Sequence, residues 1–174
     1  MSNRERIAIV PGSFDPITYG HIAIIKKAAQ FYDKVYVAVM INDQKKYMFS
    51  LDERKTIAEK SLVDIENVFV ISSDGWLWEL AKKLGACAIV KGYRNQKDLE
   101  YEQEMALFNK ERYPEAETVL IKSDPNMGSI SSTVVRERIM KGASLENFIP
   151  QEAIIVINTL KTKKQKILQK MWLK

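Results

Sequence analysis

Ile7-Ala8-Ile9-Val10-Pro11-Gly12-Ser13-Phe14-Asp15-Pro16-Ile17-Thr18-Tyr19-Gly20-His21 is the stretch on which the fold turns. Ile7–Val10 is a short apolar run of strand type, a polar turn with Pro and Gly interrupts it, and a segment of helical apolar periodicity opens at about residue 20. Strand, turn and helix in that order begin a βαβ unit, and the pattern repeats outward along the chain. Further strands are expected at Val35–Met40, Val68–Ile71, Ala88–Lys91 and Thr118–Ile121. Helices are expected at about 20–31, 50–63, 75–84, 97–111 and 131–141, followed by a helical C-terminus. Ser50 and Glu53 have the spacing of a capping box, and Gly85 and Gly142 stand where helix-ending glycines belong. These elements predict an α/β fold: a single Rossmann-like, doubly wound domain over residues 1–160 with a five-stranded parallel sheet. A basic amphipathic tail, continuing the helical C-terminus, follows over 161–174.

Composition removes several function classes. With 46% hydrophobic and 28% charged residues over 174 positions, the chain can bury a real core and is not disordered. The net charge of +5 suggests an anionic polymer as partner, but residues 161–174 hold six lysines and no acid. The other 160 residues carry a net charge of −1, without a basic stripe interleaved with aromatics, so nucleic-acid binding is not expected. The longest apolar run, Val35 to Ile41, is seven residues, far below the ~20 of a membrane span. The single cysteine, Cys87, excludes an intrachain disulfide and reads as a small core residue. With no signal-peptide pattern at the N-terminus, a cytoplasmic location is expected. In the tail, Leu160, Ile167, Leu168, Met171 and Trp172 fit one helical face opposite the lysines, suited to docking on the domain or to contact between subunits.

Ligands of doubly wound sheets bind beyond the carboxyl ends of the strands. Each predicted strand end carries polar or cationic residues: the 11–21 turn, Asn42 to Lys46, Ser72 to Asp74, Gly92-Tyr93-Arg94, and Gly128-Ser129-Ile130-Ser131-Ser132-Thr133 before the last helix of the sheet. Five such ends on one edge predict an anion site. Gly12 and Gly20 remove Cβ atoms from the approach to the backbone, while Ser13 and Thr18 offer hydroxyls. His21 at a helix start is expected to stay neutral and donate a hydrogen bond, because helix N-termini disfavour added positive charge. Neither the Walker phosphate loop nor the Gly-x-Gly-x-x-Gly fingerprint is present.

The Thr18-x-Gly20-His21 turn and Ile130-Ser131-Ser132-Thr133-Val134-Val135-Arg136-Glu137 together resemble the T/H-x-G-H nucleotidyltransferase superfamily. Lys45-Lys46-x-Met48-Phe49 and the run Lys91-Gly92-Tyr93-Arg94 through Asp98-Leu99-Glu100-Tyr101-Glu102 extend the resemblance to the bacterial phosphopantetheine adenylyltransferases, over about residues 7–155. The resemblance implies transfer of AMP from ATP to 4′-phosphopantetheine in coenzyme A biosynthesis, with Mg²⁺ accompanying ATP, no metal ligand among the protein's side chains, and a homo-oligomer, typically a hexamer. A superfamily enzyme acting on another small phosphate, such as nicotinamide mononucleotide, is the alternative. By position in the motifs, Ser13, His21, Lys45 and Arg94 would be catalytic. Gly12, Ser13, Phe14, Gly20, His21, Gly92, Tyr93, Arg94, Glu102, Ser131, Ser132 and Thr133 would hold ATP. Ser13, Lys45, Trp76, Leu77 and Lys91 would receive phosphopantetheine. Lys91 stands where the family commonly has Arg, giving a point charge in place of a bidentate fork. Trp76 and Trp78 are also compatible with simple packing.

Overall fold

The structure is a computed structural model that describes residues 5–172, with side chains described as far as Lys166. Side-chain alternation along the strands separates two cores. Ala8 and Val10 of β1 (Ile7–Gly12), Val35, Val37 and Val39 of β2 (Lys34–Met40), and Ala88 and Val90 of β4 (Ala88–Tyr93) face one side. Ile9, Ala38 and Ile89 of the same strands face the other. A sheet apolar on both faces must be covered on both, which is the physical content of a doubly wound fold. On the first side lie α1 (Tyr19–Phe31), α2 (Leu51–Ser61), α5 (Ser132–Lys141) and the start of α6 (Gln151–Trp172). Residues of α3 (Leu77–Leu84) and Tyr113, just after α4 (Gln96–Arg112), close the second.

With β3 (Val68–Ser73) and β5 (Glu117–Lys122), the strands form one sheet in the order β3-β2-β1-β4-β5, all neighbours parallel. The chain builds outward from β1 through β2 to β3, then returns to place β4 on the other side of β1. The reversal between β1 and β4 opens a crevice at their carboxyl ends. Most predicted strands end too early. Pro11 and Gly12 still pair with Ala38 and Val39, Ser72 and Ser73 with Val39 and Met40, and Gly92 and Tyr93 with Ile121 and Lys122. Parallel pairing uses backbone groups, so polar and glycine residues extend a ladder that side-chain hydropathy does not announce.

Helix boundaries follow the end signals closely. Ser50 accepts from Glu53 N while the Glu53 carboxylate accepts from Ser50 N, so Ser50 caps α2 from outside it. Gly85 and Gly142 end α3 and α5 with φ of 62° and 67°, conformations costly for residues with a Cβ. A short 3-10 turn at Pro125–Met127 precedes α5 and was not anticipated. Helix α6 runs unbroken through residue 160, with Ala153 and Ile157 buried and Leu160 packed against the first core. The side chains of Ile167, Leu168, Met171 and Trp172, on which the amphipathic reading of the tail depends, lie outside the described residues.

Candidate active site

The crevice is a cavity of about 850 Å³. Its walls bring together Gly12, Ser13, Phe14, Gly20, His21, Lys45, Lys91, Gly92, Arg94, Glu102 and Ser131 to Thr133, residues scattered over 122 positions of sequence. Four strand ends reach it. The expectation of five is corrected by topology: β3 is an edge strand two places from β1, roughly 10 Å at normal strand spacing, so Ser72 to Asp74 are not among the lining residues. Trp76 and Leu77, which follow β3, are likewise set apart from the cavity. Trp76 is exposed and its ring lies 5.9 Å from that of Phe108 on α4, while Leu77 and Trp78 pack in the second core. Tyr93 is also absent from the walls; it lies within β4, and its neighbours Gly92 and Arg94 are the residues that line the cavity.

The first turn is held by its own buried groups. Phe14 has φ 46°, a left-handed conformation rare for a bulky side chain, and its ring meets His21 edge-on with centroids 5.1 Å apart. A Cβ on Gly12 would sit 2.8 Å from the Phe14 ring, so this glycine serves the packing of Phe14, a role distinct from opening the backbone to an anion. The Asp15 carboxylate accepts from the backbone N–H of Met48 and Phe49 at 2.9 and 3.0 Å, anchoring the turn to the segment that precedes α2.

His21 is the third residue of α1, whose N-cap is Thr18. Its Nδ1 accepts from Thr18 N at 3.0 Å, which places the proton of the neutral ring on Nε2. Burial, then the positive charges of Arg94 and Lys45, lower its pKa from 6.5 to about 4. A neutral, donating imidazole is the state the sequence implied; the structure assigns the donor to Nε2 and adds burial and two nearby cations as causes that helix geometry alone does not supply.

Helix α5 begins directly against this turn. Ser131 caps it, accepting from Val134 N, and Ser132 Oγ donates to Pro16 O at 2.8 Å. Arg136, one turn along, donates to Asp15 O at 2.8 Å and lies 3.8 Å from the Asp15 carboxylate. Two helix N-termini therefore open on one cavity, a strong setting for negative charge. On the α4 side, Lys91 pairs with Glu102 at 3.1 Å and Arg94 with Asp98 at 3.2 Å.

Sequence reasoning missed Asp15, Tyr47, Arg54 and Arg136. Arg136 carried a readable signal, since it follows Thr133 by three residues and so shares its helix face. Arg54 carried none: it reads as one more charge among Asp52, Glu53 and Lys55, yet it is 1% exposed.

Residues 9–138 match the cytidylyltransferase-like family. Curated relatives named phosphopantetheine adenylyltransferase include one from Caldanaerobacter subterraneus subsp. tengcongensis, 48% identical over 145 residues that cover 83% of this chain and 91% of the relative. One from Clostridium perfringens is 44% identical, covering 86% and 91%, and one from Heliobacterium modesticaldum is 43% identical, covering 83% and 86%.

Proposed function

We infer the activity of this chain from its family: it belongs to the phosphopantetheine adenylyltransferases, within the cytidylyltransferase-like family. The chain is a nucleotidyltransferase that moves the adenylyl group of ATP to 4′-phosphopantetheine, forming dephospho-coenzyme A and pyrophosphate. The observation that carries the reading is the pair of helix N-termini joined by the Ser132–Pro16 hydrogen bond around a neutral, donating His21.

The acceptor is a phosphate monoester with a second pKa near ~6, ionised at neutral pH, so the reaction needs no general base. An acceptor oxygen forms a bond to the α-phosphorus, the bond from that phosphorus to the bridging oxygen breaks, and pyrophosphate leaves with the electron pair. The protein must align two polyanions and stabilise the charge that moves between them. Of the residues proposed as catalytic, His21 Nε2–H serves as the fixed donor to the α-phosphate, Lys45 spans the transferred and acceptor phosphates, Arg94 binds nucleotide phosphate, and Ser13 adds a hydroxyl. The free N–H groups at Ser131 to Thr133, with Arg136 behind them, suit the β- and γ-phosphates. Gly92 and Glu102 are assigned to the nucleotide. Lys91 is assigned to the acceptor.

Mg²⁺ is proposed to arrive on ATP. The carboxylates at the cavity are engaged, Asp15 by backbone N–H groups, Asp98 and Glu102 by cations, and no cluster of three metal-ligating side chains occurs among the described residues. Such a set fits a metal coordinated by phosphate oxygens and water, and it provides no protein cage. A homo-oligomer, by resemblance a hexamer, and a cytoplasmic setting complete the proposal; no described helix is long and apolar enough to cross a membrane. Incubation with ATP, Mg²⁺ and 4′-phosphopantetheine should release pyrophosphate stoichiometrically with dephospho-coenzyme A. Release with nicotinamide mononucleotide but not with phosphopantetheine would overturn the assignment of the acceptor.

A further inference from the structure

Arg54 lies on α2, outside every motif that the adenylyl-transfer reading uses, and is among the few charged side chains that are fully enclosed. Burying a guanidinium is expensive unless its donors are used. One terminal nitrogen donates to two carbonyls at once, Ser13 O at 2.5 Å, in the catalytic turn, and Met40 O at 2.9 Å, where β2 ends, while the buried Nε has no partner among the described residues. The guanidinium also stacks on the Tyr47 ring, 3.9 Å from its centroid. The Tyr47 hydroxyl in turn accepts from Asn42 N at 2.6 Å and lies 3.5 Å from Ser13 Oγ. Asn42 closes the turn that carries Lys45, accepting from Lys45 N at 2.9 Å.

These contacts form a continuous path from α2 to both sides of the reaction centre. Nothing in the sheet ladder determines where the Asn42–Tyr47 turn sits, because β2 ends at Met40 and α2 begins at Leu51. Arg54 supplies the missing reference: it ties the exit of β2 to the carbonyl beside Ser13 and presses on the ring that closes the Lys45 turn. We propose that Arg54 is a positioning residue for adenylyl transfer, setting Lys45 against Ser13 and His21 through Tyr47 and the Met40 and Ser13 carbonyls. The proposal rests on the adenylyl-transfer reading and adds a residue that touches neither substrate.

Misplacing a catalytic cation by about 1 Å costs up to ~100-fold in rate, so Arg54→Lys, which keeps the charge and loses the planar fork, should lower kcat by about 10- to 100-fold. The KM for ATP should move much less, since the N-termini of α1 and α5 stay in place. The deciding experiment is a cycle with Lys45→Ala. If Arg54 acts through Lys45, Arg54→Lys lowers kcat in the parent and changes it less than about twofold in the Lys45→Ala background. An equal loss in both backgrounds, or no loss in the parent, overturns the proposal. Should Arg54→Lys fail to fold, Tyr47→Phe gives the same reading, because it keeps the ring under the guanidinium and removes the bond to Asn42; its cost must also vanish without Lys45. Activity of the unaltered enzyme is measured alongside. If the parent itself releases no pyrophosphate with phosphopantetheine, the functional assignment fails and the cycle is not its cause.

Discussion

The two walls of the cavity are built on opposite principles. The inner wall, where the 11–21 turn meets α5, is held by groups withdrawn from water: Asp15 has a side chain only 4% exposed, and it joins two backbone N–H groups and Arg136. The outer wall, at the start of α4, carries Arg94 on an exposed ion pair, its side chain 56% exposed, beside the more enclosed Lys91–Glu102 pair. Pairs in water are screened and worth about 0–1 kcal/mol, whereas breaking a buried one costs several. The inner wall is therefore preorganised for the bond that changes, and the outer wall can exchange an internal carboxylate for a ligand phosphate at little cost. A site for two polyanions needs both.

The sharpest way to break this contrast is at His21. His21→Ala should lower turnover by about 100- to 1000-fold, as loss of a fixed donor to developing charge does, with ATP affinity changed only a few-fold by calorimetry. Loss of ATP binding with unimpaired turnover of the bound fraction would move His21 out of the chemistry. Next, Asp15→Ala leaves the Met48 and Phe49 N–H groups without their acceptor and removes the carboxylate 3.8 Å from Arg136, whose hydrogen bond to the Asp15 backbone carbonyl remains. It should cost about 3 kcal/mol of stability in urea unfolding, with a shift in midpoint and little change in slope. On the outer wall, Arg94→Gln should leave stability within ~1 kcal/mol of the parent and weaken ATP binding about tenfold, with a shallower salt dependence. An Arg94 variant as unstable as the Asp15 variant would erase the distinction between the walls.

The frame of this site was legible in the sequence because short unbroken apolar runs mark strands buried on both faces, and caps such as Ser50 with Glu53 mark helix starts. The rule that ligands meet the strand ends then located His21, Lys45, Arg94 and the Ser131 turn. The rest lay in the order of strands, which hydropathy does not encode. Trp76 and Leu77 follow β3 as Arg94 follows β4, but β3 is at the edge and β4 at the switch point. Arg54 and Asp15 were hidden for a different reason: a charge becomes structural only when the fold encloses it, and Arg54 sits among charged neighbours while Asp15 reads as one residue of a turn.

Acid should expose the cost of the inner wall. Between pH 6.5 and about 4 the unfolded chain binds a proton at its histidine while the native state does not, so this group's contribution makes stability fall as pH drops through that window and level off below it. Above pH 6.5 both states carry a neutral ring and the contribution is flat.

Because His21 is the single histidine of the chain, its imidazole can be followed without assignment by proton and ¹⁵N NMR as pH is lowered in the folded enzyme. The account predicts a neutral ring protonated on Nε2 at pH 7 and a titration midpoint near 4. A midpoint near the ordinary value of ~6.5, or a ring protonated on Nδ1 at neutral pH, would contradict the preorganised donor at the centre of the mechanism.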